Sequence, residues 1–144
     1  MEEETKKRLA IFDELDFDVF SNQDWKDLDK SHSEDVRVIW PDGHETNGIK
    51  QHIEDLSNMF VALPDTRIKS HPVAFGSGDW TVTIGVMEGT FTKPMPMGGG
   101  KVVQPTGKKL NLQMATIAHW KGEKIFEEYL FWDNAAYLQQ LGIS

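Results

Sequence analysis

The 144-residue chain has no cysteine, which removes disulfides, thiolate nucleophiles and cysteine-based zinc sites together. No apolar run approaches the ~18 residues that a membrane-spanning helix needs. The opening MEEETKKR carries no apolar segment of the secretory type. These absences predict a soluble, cytoplasmic protein with no membrane partner. Positive charge is scarce as well: 15 Lys and Arg face 23 Asp and Glu, for a net charge of −8. Without a basic stripe or cluster to displace phosphate counterions, nucleic acid is not expected as a partner. Chemical motifs are missing too. The histidines show no HExxH or similar spacing, no Ser–His–Asp elbow is present, and MGGGK lacks the spacing and following Ser/Thr of a P-loop. Neither a metal nor a cofactor is therefore expected.

What is present fits a single domain over 1–144, long enough to bury one core. Residues 3–20 predict an amphipathic helix, with Leu9, Ile11, Phe12, Leu15 and Val19 at helical spacing. SNQDWKDLDK predicts a short second helix that buries Trp25 and Leu28, with Ser21 as N-cap and Asp24 three residues on. DVRVIW reads as a strand and PDG as a turn. A third helix starts near Gly48 and ends before Pro64, its apolar face built from Ile49, Ile53, Leu56, Met59, Phe60 and Leu63. The rest is mostly strand. RIKSHPVAF carries Pro72 as an edge or bulge marker. DWTVTIGVMEGTF alternates, with Trp80, Val82, Ile84 and Val86 on one side and Thr81, Thr83 and Gly85 on the other. KKLNLQMATIAHW places Leu110, Leu112, Met114 and Thr116 together, and IFEEYLFW is the last strand before a closing helix stopped by Gly142. Helices first and long antiparallel strands after them make the fold α+β.

The last strand raises the chemical question. Period 2 puts Glu127, Tyr129, Phe131 and Asp133 on one face and Phe126, Glu128, Leu130 and Trp132 on the other. Glu128 is the single acid on an apolar face. If that face lines a cavity, desolvation raises its pKa into the range of general acid–base work; the alternative is a solvated glutamate at a pocket mouth. Glu127 is expected exposed or paired with a lysine, and Asp133 is expected to cap the closing helix. His52, near the buried edge of the third helix, is a candidate partner for Glu128 or a satisfied core histidine. His44, on a turn beside Asp42, is either a pocket-mouth group or an exposed loop residue. Trp40 and Trp132 flank the loops where a pocket would open and are the candidate ligand-contacting tryptophans. Segment 93–108, KPMPMGGGKVVQPTGK, is too rich in Pro and Gly for regular structure and is expected to fold over the pocket or reach a neighbouring subunit.

SHSEDV, the Gly48 helix ending in LPD, PTGKKLNLQMATIAHWKGEKI and the ending KIFEEYLFWDNAAYLQQLG, in that order, resemble the SnoaL-like polyketide cyclases and ester cyclases of the NTF2-like superfamily. The likeness covers nearly the whole chain. It implies a cone: a curved antiparallel sheet wrapped against helices, an apolar pocket at the open end, and a homodimer. It also implies that His32 corresponds to a frequent histidine of the family, here read as holding the turn after the second helix. Alignment through Lys124–Ile125 and the closing Leu–Gly puts Leu130 where the cyclases carry their acid/base aspartate, and Met114 and Thr116 where they carry glutamine and histidine. With Leu112, these side chains are then ligand-lining. Two functions follow. One is a cofactor-independent enzyme of cyclase, isomerase or hydrolase type, acting on an apolar carbonyl-bearing molecule, with Glu128 shuttling protons and His52 or His44 polarising the substrate. The other is a non-catalytic ligand-binding or dimerisation module in the same cone.

Overall fold

The computed structural model describes residues 2–143. Helix α1 (Glu3–Glu14) starts with Glu3 and Glu4 in its first turn, where negative charge suits the positive end of the helix dipole. Its buried side is Thr5, Arg8 and Phe12. Arg8 ties the helix to two hairpin turns, donating to the carbonyls of Gly78 and Gly122 and to Asp79. Past Glu14 the helix loosens into a π-helical stretch, Leu15–Phe20, whose buried side chains are Leu15, Asp16, Val19 and Phe20. A 3-10 turn, Trp25–Lys30, buries Leu28. Ser21 does not cap it, contrary to the sequence reading. Its hydroxyl donates to the Asp16 carbonyl and accepts from the Ile68 amide, clamping the π-helical stretch to the sheet edge.

Strands β1 (His32–Ile39), β2 (Glu45–Asn47), β3 (Arg67–Ile68), β4 (Val73–Ser77), β5 (Trp80–Thr90), β8 (Lys109–Lys121) and β9 (Lys124–Phe131) form one seven-stranded sheet. Its order is β2-β1-β9-β8-β5-β3, with β4 also on β5. The sheet is mixed, not wholly antiparallel, because β1 pairs with β9 in parallel. That pairing joins the first strand to the last, which no hairpin can do. Helix α2 (Ile49–Asn58) begins at Gly48, whose φ of +95° glycine adopts at no steric cost. A short α3 (Asn134–Gln140) closes the chain. The α+β class and the helices-first order read from the sequence are those of the structure.

Three other local expectations differ. RIKSHPVAF is two strands, β3 and β4, both antiparallel to β5 and separated around Pro72. The 93–108 segment is partly regular: β6 (Met95–Gly98) and β7 (Lys101–Val103) form a separate hairpin, its turn made by glycines of positive φ at 98, 99 and 100. Third, β9 does not alternate cleanly. His119 pairs with Glu127 but Trp120 pairs with Ile125, so Phe126 is an extra residue, a bulge. The bulge turns Phe126 outward against His119, while Ile125 and Glu128 are buried.

The core lies between the helices and the inner sheet face. On β8 that face is Leu110, Leu112, Met114, Thr116, Ala118 and Trp120, as alternation predicts. On β5 the β-branched apolar residues are not the inward ones: Thr81, Thr83 and Met87 are buried, while Val82, Ile84 and Val86 occupy the outer face.

Candidate active site

Three elements deliver three titratable side chains to one point. His32 opens β1, Glu128 is the fifth residue of β9, and His52 is the fourth residue of α2. Since β1 and β9 are neighbours, with Val38 opposite Glu128, the two strand residues share the inner face. Helix α2 lays its buried edge, His52 and Leu56, across them. All three are buried, with residue exposures of 1%, 2% and 2% for His32, Glu128 and His52. Both imidazoles converge on one carboxylate oxygen. His32 Nε2 and His52 Nε2 each lie 2.9 Å from Glu128 Oε1, and the two rings are tilted with centroids 5.1 Å apart.

The hydrogen-bond ledger constrains the protons. A carboxylate only accepts, so each facing Nε2 carries hydrogen. His32 Nδ1 lies 2.9 Å from Ser31 Oγ, the hydroxyl that also bonds the Leu28 carbonyl. Among the described residues His52 Nδ1 is buried with no partner, so in the neutral ring it is an unoccupied lone pair. Burial pulls the His52 pKa down despite the adjoining carboxylate. Burial pushes Glu128 up, but His32 and His52 outweigh it and hold the carboxyl below its usual range. The cluster is an ionised glutamate read by two imidazoles in an apolar wall.

That wall encloses a chamber lined by Phe12, Leu15, Phe20, Leu56, Ile68 and Leu130 around the polar groups. Its free volume is about 40 Å³, room for roughly three or four water-sized groups at ~10–15 Å³ each. Met59 and Trp132 line both this chamber and a larger groove of about 450 Å³. The groove runs between the end of α2, the β6–β7 hairpin (Met95, Pro96) and α3 (Tyr137). The small chamber and the larger groove therefore share a wall at Met59 and Trp132.

Of the residues singled out in the sequence, Glu128, His52, Met114, Thr116, Leu130 and Trp132 meet in the chamber, and so does His32. His32 was expected only to hold a turn; it holds Glu128 as well. His44 does not reach it. Its side chain is 57% exposed and paired with Asp42 at 2.5 Å, since the tight turn points it to solvent. Trp40 lines neither cavity. It stands behind the wall, edge-on to Trp132 and tilted against His52, with its indole donating to Thr46. Leu112 is buried core and not chamber lining, being one pleat short of Met114. Asp133 accepts from the Ala136 amide at 3.0 Å and caps α3. Glu127 is paired, with Arg37 at 2.6 Å and His119 at 3.2 Å and not with a lysine.

The sequence reading missed Asp16, which also lines the chamber, and His71 behind it. Asp16 stands four residues after Phe12 and four before Phe20, an acid in the middle of an apolar helical stripe; that spacing was the available signal. Metal-ligating geometry, among the described residues, occurs once. The donor atoms of His32, His52 and Glu128 lie within 4.8 Å of one another, a two-histidine, one-carboxylate set that could hold a divalent cation.

The profile of the family described as SnoaL-like polyketide cyclase matches residues 13–141. Among solved structures, a protein from Jannaschia sp. CCS1 assigned as a SnoaL-like polyketide cyclase superposes with a TM-score of 0.81 at 17% identity, over 100% of this chain and 97% of its own. One from Acidithiobacillus ferrooxidans assigned as a polyketide cyclase gives 0.78 at 21% identity, over 99% and 96%. A protein of ketosteroid isomerase-like fold from Catenulispora acidiphila DSM 44928, solved with trimethylamine, gives 0.72 at 15% identity, over 97% and 95%. No curated protein matches the chain. At these identities the structures speak for the fold, which is NTF2-like, and the profile speaks for the family: the chain belongs to the SnoaL-like polyketide cyclases.

Proposed function

We propose that the protein is a cofactor-independent enzyme that enolises an apolar, carbonyl-bearing small molecule, the step shared by cyclase- and isomerase-type reactions. The observation that carries this reading is the shared carboxylate: two buried imidazoles at 2.9 Å from one Glu128 oxygen, one of them with a free ring nitrogen. Binding an apolar ligand requires none of these groups, and burying them costs stability. The α-proton passes to the Glu128–His52 pair, where the carboxylate stabilises the imidazolium that forms. The reactive carbonyl end occupies the chamber and the apolar body lies in the groove, because 40 Å³ admits only a few atoms and 450 Å³ admits a ring system.

The test is hydrogen–deuterium exchange at the α-carbon of 2-tetralone, followed by NMR. Glu128→Gln keeps shape and hydrogen bonding but removes the charge, and the exchange rate is expected to fall by ~10²-fold or more. A variant that exchanges as fast as the parent overturns the assignment. A wild-type protein that binds 2-tetralone without exchanging it favours the non-catalytic module instead.

The same reading includes a homodimer through the outer sheet face. Two neighbouring rows cross four strands there, Phe75–Val82–Ile117–Tyr129 and Val73–Ile84–Ala115–Phe131. Val73, Phe75 and Phe131 at their ends are exposed. A contiguous apolar face of this kind calls for a partner, and a second copy presents a matching one. Light scattering is expected to give twice the chain mass, and Phe75→Asp with Phe131→Asp to give a monomer; a wild-type monomer at micromolar concentration removes the idea.

A further inference from the structure

A second titratable cluster reaches the same chamber from the π-helical stretch. Asp16 Oδ2 lies 2.7 Å from His71 Nε2, and His71 Nδ1 lies 2.8 Å from Asp13 Oδ1. The side chains are 10% exposed for Asp16, 4% for His71 and 51% for Asp13, so the series runs from the chamber to the surface. It is built, not incidental. The π-helical stretch turns Asp16 inward beside Leu15, and Ser21 fastens that stretch to β3. Phe12 and Phe17 pack on the His71 ring, with centroids at 5.5 and 4.5 Å. Gly85 leaves the space: a Cβ there would meet His71 Cδ2 at 3.4 Å and Asp16 Oδ2 at 3.7 Å.

We propose that Asp16 is the general acid of this chamber, loaded by His71, whose charge Asp13 holds, and that it protonates the substrate's carbonyl oxygen while the Glu128 pair removes the α-proton. The proposal rests on the enolisation reading above. The proton balance closes. One proton is shared between Asp16 Oδ2 and His71 Nε2, and His71 Nδ1–H donates to Asp13 throughout. As the α C–H bond breaks toward the Glu128–His52 pair, the shared proton moves from Asp16 to the carbonyl oxygen and leaves an Asp16 carboxylate beside neutral His71. When the enol collapses, the oxygen returns its proton through Asp16 and the carbon takes one back, with deuterium entering from exchanged groups.

The electrostatics agree with these roles. Burial pushes Asp16 up, with the Glu128 charge adding to it and His71 and His32 opposing. Burial pulls His71 down, but Asp16 and Asp13 outweigh it and raise it. Both groups therefore favour keeping the shared proton, while Glu128, lining the same chamber, favours losing its own. Two carboxyls pushed apart in one cavity are the pattern of an acid and a base.

Three measurements decide it. In the 2-tetralone exchange assay, Asp16→Asn is expected to lose ~10-fold or more in kcat, within the range of general acid catalysis, and His71→Gly to lose a similar amount. Added imidazole is expected to restore His71→Gly, whereas pyrrole, equal in shape but without a basic nitrogen, is not; equal rescue by both would mean that His71 only fills space. Glu128→Gln tests the enolisation reading by itself: its loss with undiminished Asp16→Asn and His71→Gly rates overturns the acid assignment alone. Without any turnover, NMR titration of the His71 ring nitrogens is expected to show a midpoint that drops by ~1 pH unit or more in Asp16→Asn and that shifts when 2-naphthol, the enol-shaped aromatic of 2-tetralone, fills the wild-type site. A midpoint indifferent to both removes the proposal, whatever the substrate.

Discussion

Truncating Glu128 should reveal that the cluster opposes stability and is kept for chemistry. Glu128→Ala leaves two buried imidazole N–H groups facing nothing, where each Nε2 now lies 2.9 Å from the carboxylate. An orphaned buried donor costs ~1–3 kcal/mol, and the lost side chain adds a void beside the chamber. The sum is ~3–5 kcal/mol, matching the usual cost of breaking a buried pair by removing one member. At this chain length that lowers Tm by ~10–20 °C. Glu128→Gln retains an oxygen that accepts from both rings and forfeits only charge assistance, ~1–2 kcal/mol. Replacing all three polar groups with leucine (His32→Leu, His52→Leu, Glu128→Leu) removes the orphans together, and the partnerless His52 Nδ1 with them. Apolar replacement of a buried charged set is often neutral or stabilising by ~1–4 kcal/mol. The triple variant is thus expected to recover the loss of Glu128→Ala while showing no exchange activity. Urea denaturation of the four proteins measures this. A triple variant no more stable than Glu128→Ala, or an alanine variant as stable as wild type, refutes the argument.

Stability should fall toward both ends of the pH scale, for opposite reasons. Glu128 is held below its unfolded value of ~4.3, so its contribution is complete above that pH and drains away as pH falls further; Glu128→Gln should flatten the acid limb of urea midpoint against pH. His71 is raised above its ordinary ~6.5, so its contribution is complete below that pH and is lost as pH rises through the folded value; His71→Asn should flatten the upper limb. Gly85→Ala should press on Ile68 Cγ2 at 3.2 Å and on the His71 ring at 3.4 Å, costing ~1–3 kcal/mol as overpacking and shifting the His71 titration. The enolisation reading needs no ion between His32, His52 and Glu128. Protein dialysed against a chelator should keep its 2-tetralone exchange rate, and stoichiometric metal in elemental analysis with activity lost on chelation would replace the acid–base account.

The fold was legible because period and punctuation survive in the sequence. The helical span of α1, the glycine opening α2 and the strict alternation of β8 each follow from local rules, although Thr5 and Arg8 join Phe12 on the buried side of α1 in place of Leu9 and Ile11. Alternation misled where both sheet faces are partly covered. On β5, valines and isoleucine face outward and threonines inward, and Trp120 consumes one inward threonine by donating to Thr81 Oγ1 at 2.8 Å. On β9 a bulge reverses parity at Phe126, yet Glu128 lies beyond it and the inward assignment holds at that residue. His44 and Trp40 were placed by nearness to a turn, and loop direction is set by contacts that no window of sequence contains.

Asp16 and His71 were illegible for a different reason: 55 residues separate them, and each looks ordinary alone. Their meeting depends on β3 and β4 both lying on β5, so that the link carrying His71 passes over the π-helical stretch. The same geometry makes the chamber chemically two-sided. Glu128 is surrounded by donors and favours its charge, whereas Asp16 has one ring to share a proton with and favours keeping it. Burial in the apolar wall favours the proton on Asp16, whereas at Glu128 the two imidazoles outweigh that same burial. A carbonyl group held between the two would meet a proton acceptor at its α-carbon and a proton donor at its oxygen, so neither the carbanion nor the oxyanion need form in full before it is neutralised.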